Sequence, residues 1–128
     1  MNTNPSGVSP ETPIDVEQLL ERCLGNIDFA QRIITKFQSS FDKEIQELEQ
    51  CVKQRDSDRA AMTAHRMKGA SANVAADSLR GAVEKIEFHA RAGRLDEVPS
   101  CLQELRAAWG CFQEYAANVH SHCGANAE

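Results

Sequence analysis

The sequence predicts an all-α protein, an antiparallel up-and-down four-helix bundle with a short additional N-terminal helix. Apolar residues recur at steps of three and four through most of the chain. No stretch alternates with period two between hairpin turns, and Gly or capping residues divide the periodic segments at short intervals. The 128 residues suit one domain. A hydrophobic share of 41% against 26% charged residues is enough for a core and too apolar for general disorder.

Asn2 to Pro13 carries several prolines and small polar residues, so residues 1–12 are expected to form a flexible tail, with the folded domain spanning 13–119. Thr12 is placed to cap a first short helix. Pro13 then takes the first helical position and Asp15 completes a capping-box spacing before Val16, Leu19, Leu20 and Cys23. Gly25 stops it. From Ile27 a long amphipathic helix runs through Ala30, Ile33, Ile34, Phe37, Phe41, Ile45, Leu48 and Val52.

Gln54 to Ser57 breaks that pattern, and Asp56 or Ser57 is placed to cap a third helix through Ala60, Ala64, Met67, Ser71 and Val74. Asp77 is expected to cap a fourth helix through Leu79, Val83, Ile86 and Ala90, ended by Gly93. Asp96 is expected to cap a fifth, with Pro99 in the first turn, where the missing amide proton costs little. This last helix continues through Leu102, Leu105, Trp109, Phe112, Ala116 and Val119. Residues 120–128 read as a second flexible tail.

Composition narrows the partners. A formal charge of −5 and a pI near 5.4 oppose the basic surface that nucleic acid or an anionic membrane selects. No apolar run is long enough to span a membrane and no signal peptide opens the chain, so a cytoplasmic, monomeric protein with a protein partner is expected. The initiating methionine and the two tails favour a free-standing chain. The five cysteines contain no C-x-x-C pair, and Cys23, Cys51, Cys101 and Cys111 read as small apolar residues on helices. His89 stands two residues from Glu87, too far round a helix to chelate with it, and His120-Ser121-His122-Cys123 has no second cluster, so no metal site is predicted.

Chemistry concentrates in His65-Arg66-Met67-Lys68-Gly69-Ala70-Ser71. At about 100° per residue, His65 lies roughly 140° from the centre of the third helix's apolar stripe and points outward. Around it fall Ala61, Lys68, Gly69 and Ala72, three of them too small to cover an imidazole. A solvent face usually carries long charged side chains, so this patch reads as a docking surface, with Met62 and Arg66 at its edge. Mid-helix Gly69 costs about 0.5–1 kcal/mol relative to alanine. Clearance for a partner and close packing against a neighbouring helix are the two physical reasons for keeping it.

This stretch resembles the signature of the histidine-containing phosphotransfer (HPt) domains of two-component phosphorelays, H-x-x-K-G followed by two small residues. The helix number, order and relative lengths over about residues 13–119 resemble that family as well. Where many members carry Gly-Ala after the small pair, this chain has Ala75-Ala76.

The resemblance implies that His65 reversibly exchanges a phosphoryl group with the aspartate of a response-regulator receiver domain, with a hybrid sensor histidine kinase as a further partner. It implies Lys68 as the positive charge beside the phosphoryl group. It also implies a side chain of the fourth helix beside the ring: some members place a glutamine there, and this chain has Glu87, suited to hold one ring nitrogen protonated. Partner contacts would fall on Ala61, Met62, Arg66, Gly69 and Ala72. No cofactor is expected on this chain, Mg²⁺ belonging to the receiver, and the absence of a Gly-rich phosphate loop argues against ATP-dependent kinase activity of its own. A non-catalytic docking module and a segment of a larger hybrid kinase are the alternative readings.

Overall fold

The computed structural model describes residues 13–118, in the order α1 (Val16–Arg22), α2 (Ile27–Lys53), α3 (Ser57–Asn73), α4 (Asp77–Arg91) and α5 (Val98–Ala117). A single turn of 3-10 helix, Leu95–Glu97, leads into α5. Thr12, Val119, His120, His122, Cys123 and both expected tails lie outside the described residues.

Helices α2 to α5 form the expected bundle, and α2 and α5 run antiparallel, as their contacts demonstrate. Phe37 meets Phe112 with ring centroids 5.3 Å apart, Trp109 Nε1 donates to Asp42 Oδ1 at 3.3 Å, and Arg106 pairs with Glu49. Phe37, Phe41, Trp109 and Phe112 make one aromatic cluster, with Trp109 stacked on Phe112 and Phe41 4.7 Å from Trp109. Rings tilted or offset at these separations bury large apolar area and add a favourable quadrupole interaction. At the other side of the bundle α3 and α4 pack most closely. Alanines make that possible: Ala60, Ala64 and Ala90 are buried with Met67, Val83 and Ile86.

α1 lies across the bundle end, where the Asp15 amide donates to the Ala75 carbonyl at 2.9 Å and the Arg22 guanidinium to the Ala72 carbonyl. Ile14 and Leu19 are buried beneath it. Three helix starts are capped by side chains: Asp15, Asn26 and Asp56 accept from the amides of Gln18, Phe29 and Arg59 at 3.0–3.1 Å. Asp15 is therefore the cap of α1 and not its third residue. Asp77 and Asp96 do not cap; Ala76 and Glu97 hold the cap positions without a side-chain bond, and Asp96 pairs with Arg55 at 3.2 Å. Pro99 lies in the first turn of α5, as expected.

Cys51 and Cys101 are buried on helices, and burial pushes both thiols up from their ordinary value, which keeps them protonated and inert. Cys23 is buried at the C-cap of α1. Cys111 departs from its expected apolar role, being exposed on α5.

Helix ends show a feature the sequence does not announce. α1, α2, α3 and α4 all close with the same pair of backbone bonds around a left-handed residue, as in Gly25 N to Leu20 O at 2.7 Å and Asp56 N to Cys51 O at 2.9 Å. Glycine fills that position only at Gly93; Leu24, Arg55 and Ala75 adopt φ of 56°, 58° and 57°. Leu24 is 94% exposed, so its side chain returns almost no packing for that conformation. Leu24→Gly is expected to raise stability by about 0.5–1 kcal/mol, read from the urea midpoint at unchanged slope.

Candidate functional site

α3 carries His65 at mid-helix on the face turned from the core, with 61% of the side chain exposed. Across the seam, Glu87 sits on α4 one residue beyond buried Ile86, at the border between the apolar stripe and solvent, and only 6% of it is exposed. The carboxylate is met from three sides. His65 Nδ1 lies 2.9 Å from Oε2, Lys68 Nζ lies 2.9 Å from Oε1, and Arg91 donates through Nε at 2.9 Å and Nη2 at 2.8 Å to Oε2. One turn of α3 separates His65 from Lys68, and one turn of α4 separates Glu87 from Arg91, so helical geometry alone gathers these four groups.

Burial by itself would raise the Glu87 carboxyl, yet the donors Lys68, Arg91 and His65 outweigh it and hold the group down to about 2 from an ordinary 4.5. Glu87 is thus a carboxylate at any physiological pH. An ionised acceptor facing Nδ1 favours the tautomer with the proton on Nδ1, leaving the lone pair on Nε2. Nε2 meets no partner among the described residues.

Gly69 is exposed, and a Cβ built on it would find no atom within 4 Å apart from its own immediate helix. Packing inside the bundle therefore does not call for glycine at this position. Gly69 and Ala72 border a shallow cavity of about 250 Å³ whose other walls are His65, Lys68, Arg80 and Glu84. Met62, one turn before His65, is 62% exposed.

Two of the expected contact residues are placed differently. Ala61 is only 4% exposed and belongs to the core. A wheel with a single apolar stripe puts it outside, but α3 is flanked by both α2 and α4, and its N-terminal half is buried at Ala60, Ala61, Thr63 and Ala64 alike. Arg66 is exposed but leans toward α2, pairing with Glu44 at 3.3 Å and Glu47 at 3.4 Å.

Sequence reasoning missed Arg91, Arg80 and Glu84. Arg91 follows Glu87 by four residues, the favourable order for a helical ion pair, and that spacing is the signal that could have found it. Among the described residues no three His, Cys, Asp or Glu side chains converge as a metal site, and no helix is long and apolar enough to cross a membrane.

A four-helix bundle that presents one exposed imidazole, clamped from behind by a buried carboxylate and flanked by an ammonium and a glycine, defines a module for moving a group on and off a histidine. The chain belongs to the Hpt domain family, whose model matches residues 32–120. It is a histidine phosphotransfer intermediate of two-component signalling, a class that works with receiver domains or kinases. Its fold is that of the crystal structure of histidine-containing phosphotransfer protein B from Pseudomonas aeruginosa PAO1, with a TM-score of 0.79 at 19% identity over 90% of this chain and 98% of that one. No curated protein matches the chain.

The Glu87 carboxyl is lower in the folded chain than in the unfolded one, so its contribution to stability is present above about pH 4.5 and is lost as pH falls toward about 2. Glu87→Gln is therefore expected to cost stability at pH 7 and progressively less below pH 4.5. Thermal unfolding of both proteins across that range measures the convergence.

Proposed function

We propose that His65 is the phosphoacceptor, that its Nε2 is the attacking atom, and that it exchanges a phosphoryl group with the aspartate of a separate receiver domain. The observation that supports this most is the 2.9 Å approach of Glu87 Oε2 to Nδ1 of a ring otherwise 61% exposed. Such a contact holds the proton on the inner nitrogen and turns the outer lone pair toward an incoming partner.

In the transfer the Nε2 lone pair attacks phosphorus in line with the aspartyl phosphate. The bond from phosphorus to the aspartyl oxygen breaks, the carboxylate departs with the electron pair, and the bond from Nε2 to phosphorus forms. The ring keeps its Nδ1 proton and becomes cationic, and the Glu87 carboxylate opposite that proton stabilises the charge. Reversal returns the group to a carboxylate. An acyl phosphate is energy-rich, so this step needs no nucleotide, and the Mg²⁺ that neutralises the equatorial oxygens belongs to the acidic pocket of the receiver.

Lys68 adds positive charge from this chain, one turn from the ring. Gly69, Ala72 and Met62 provide the low, partly apolar ground on which the receiver settles, while Arg66 marks the edge toward α2. A receiver domain and a hybrid sensor histidine kinase are the two partners we assign. A net charge of −5 fits protein partners better than nucleic acid, and we assign the chain to the cytoplasm as a monomer.

Incubation with a phosphorylated receiver and Mg²⁺ is expected to give an acid-labile, alkali-stable label that His65→Gln abolishes while the helical circular dichroism persists. Retention of the label in that variant contradicts the assignment. Lys68→Ala is expected to slow transfer about tenfold with helicity intact. Gly69→Lys is expected to block the receiver sterically, and normal transfer by it would show that clearance at Gly69 is not used.

A further inference from the structure

The two cations on Glu87 occupy different oxygens. Lys68 Nζ alone approaches Oε1, at 2.9 Å, whereas Arg91 takes Oε2 through both Nε and Nη2 and shares that oxygen with His65 Nδ1. Lys68 can therefore leave without disturbing the bonds that orient the ring. It also lines the cavity beside His65, so its ammonium has a path toward a group on Nε2. Arg91 has no such freedom, since its planar fork is anchored twice on one oxygen from the same helix.

This matters because Glu87 is a buried carboxylate. Were Lys68 its only cation, moving that ammonium to the phosphoryl group would strand an unpaired charge at the seam, which is strongly disfavoured. We infer that Arg91 is a positioning residue: it remains on Glu87 Oε2 as a fixed counter-ion, so that Lys68 is released to the phosphoryl group while the carboxylate stays ionised and keeps Nδ1 protonated. The inference rests on His65 being the phosphoacceptor. It makes Lys68 an exchangeable ion-pair partner and Arg91 a permanent one. Phosphorylation would then exchange the Lys68 ion pair at Oε1 for one with the phosphoryl group, while Arg91 continues to balance the carboxylate through Oε2.

The test uses the full chain and phosphoramidate, a small donor whose bond from phosphorus to nitrogen breaks as ammonia leaves and phosphorus bonds to Nε2, so that no receiver surface is involved. Arg91→Ala is expected to slow labelling of His65 about tenfold in the otherwise unaltered chain and less than about twofold in a chain that already carries Glu87→Gln, because a neutral amide needs no counter-ion. Arg91→Lys, which keeps the charge on the same turn, is expected to restore most of the rate. Equal losses with and without Glu87→Gln, or no loss in either, overturn the role of Arg91 while leaving His65 as acceptor. A label that survives His65→Gln overturns both. Side-chain exposure of 58% at Arg91 means that removing it opens no cavity in the apolar core, and circular dichroism of each variant verifies the fold.

Discussion

One buried carboxylate at the seam of two helices sets the terms for the rest of this protein. Glu87 is ionised where an isolated charge would cost several kcal/mol, and it stays so because His65 and Arg91 share hydrogen bonds with one oxygen and the Lys68 ammonium lies against the other. That arrangement demands that α3 and α4 approach closely and in one register. A shift of one residue along either helix would rotate Glu87 or His65 by about 100° and dissolve the cluster.

The bundle meets this demand with small side chains. Ala60, Ala64 and Ala90 let the two helices come together, and the aromatic block of Phe37, Phe41, Trp109 and Phe112 supplies bulk on the other side, where α2 and α5 meet. Polar ties join the helices: Thr63 Oγ1 donates to Glu47 at 3.1 Å, and α1 hangs on the carbonyls of Ala72 and Ala75. The division of labour is spatial. Large apolar groups stabilise the side away from the site, and the α3 surface around the histidine is left low and open at Gly69.

Much of this was legible from residue order. Steps of three and four gave all the long helices, and the outward tilt of His65 followed from the position of Ala60, Ala64 and Met67 on the opposite side. The resemblance of His65 to Ser71 to a phosphotransfer signature pointed to the family, and it placed Glu87 beside the ring. What escaped was whatever depends on the neighbours of a helix. Ala61 is buried because α3 has helices on two sides, a fact no single-stripe wheel contains. Leu24, Arg55 and Ala75 take left-handed conformations that composition assigns to glycine, since tertiary packing fixes where each helix must turn. Asp77 and Asp96 looked like caps by type, and each lay one residue from the true cap position, Ala76 and Glu97. Arg91 was hidden for a different reason: a helical Glu–Arg pair ordinarily stands in solvent, and only burial of Glu87 turns this one into part of a site.

The central claim is that Glu87 dictates which nitrogen of His65 reacts. Phosphorus-coupled ¹⁵N NMR of the phosphorylated chain, with histidine labelled in both ring nitrogens, reads this directly. The account predicts one-bond coupling to Nε2 of His65 and a proton retained on Nδ1 facing the carboxylate. Coupling at Nδ1 of His65 would contradict it, because that nitrogen is the one the structure holds against Glu87.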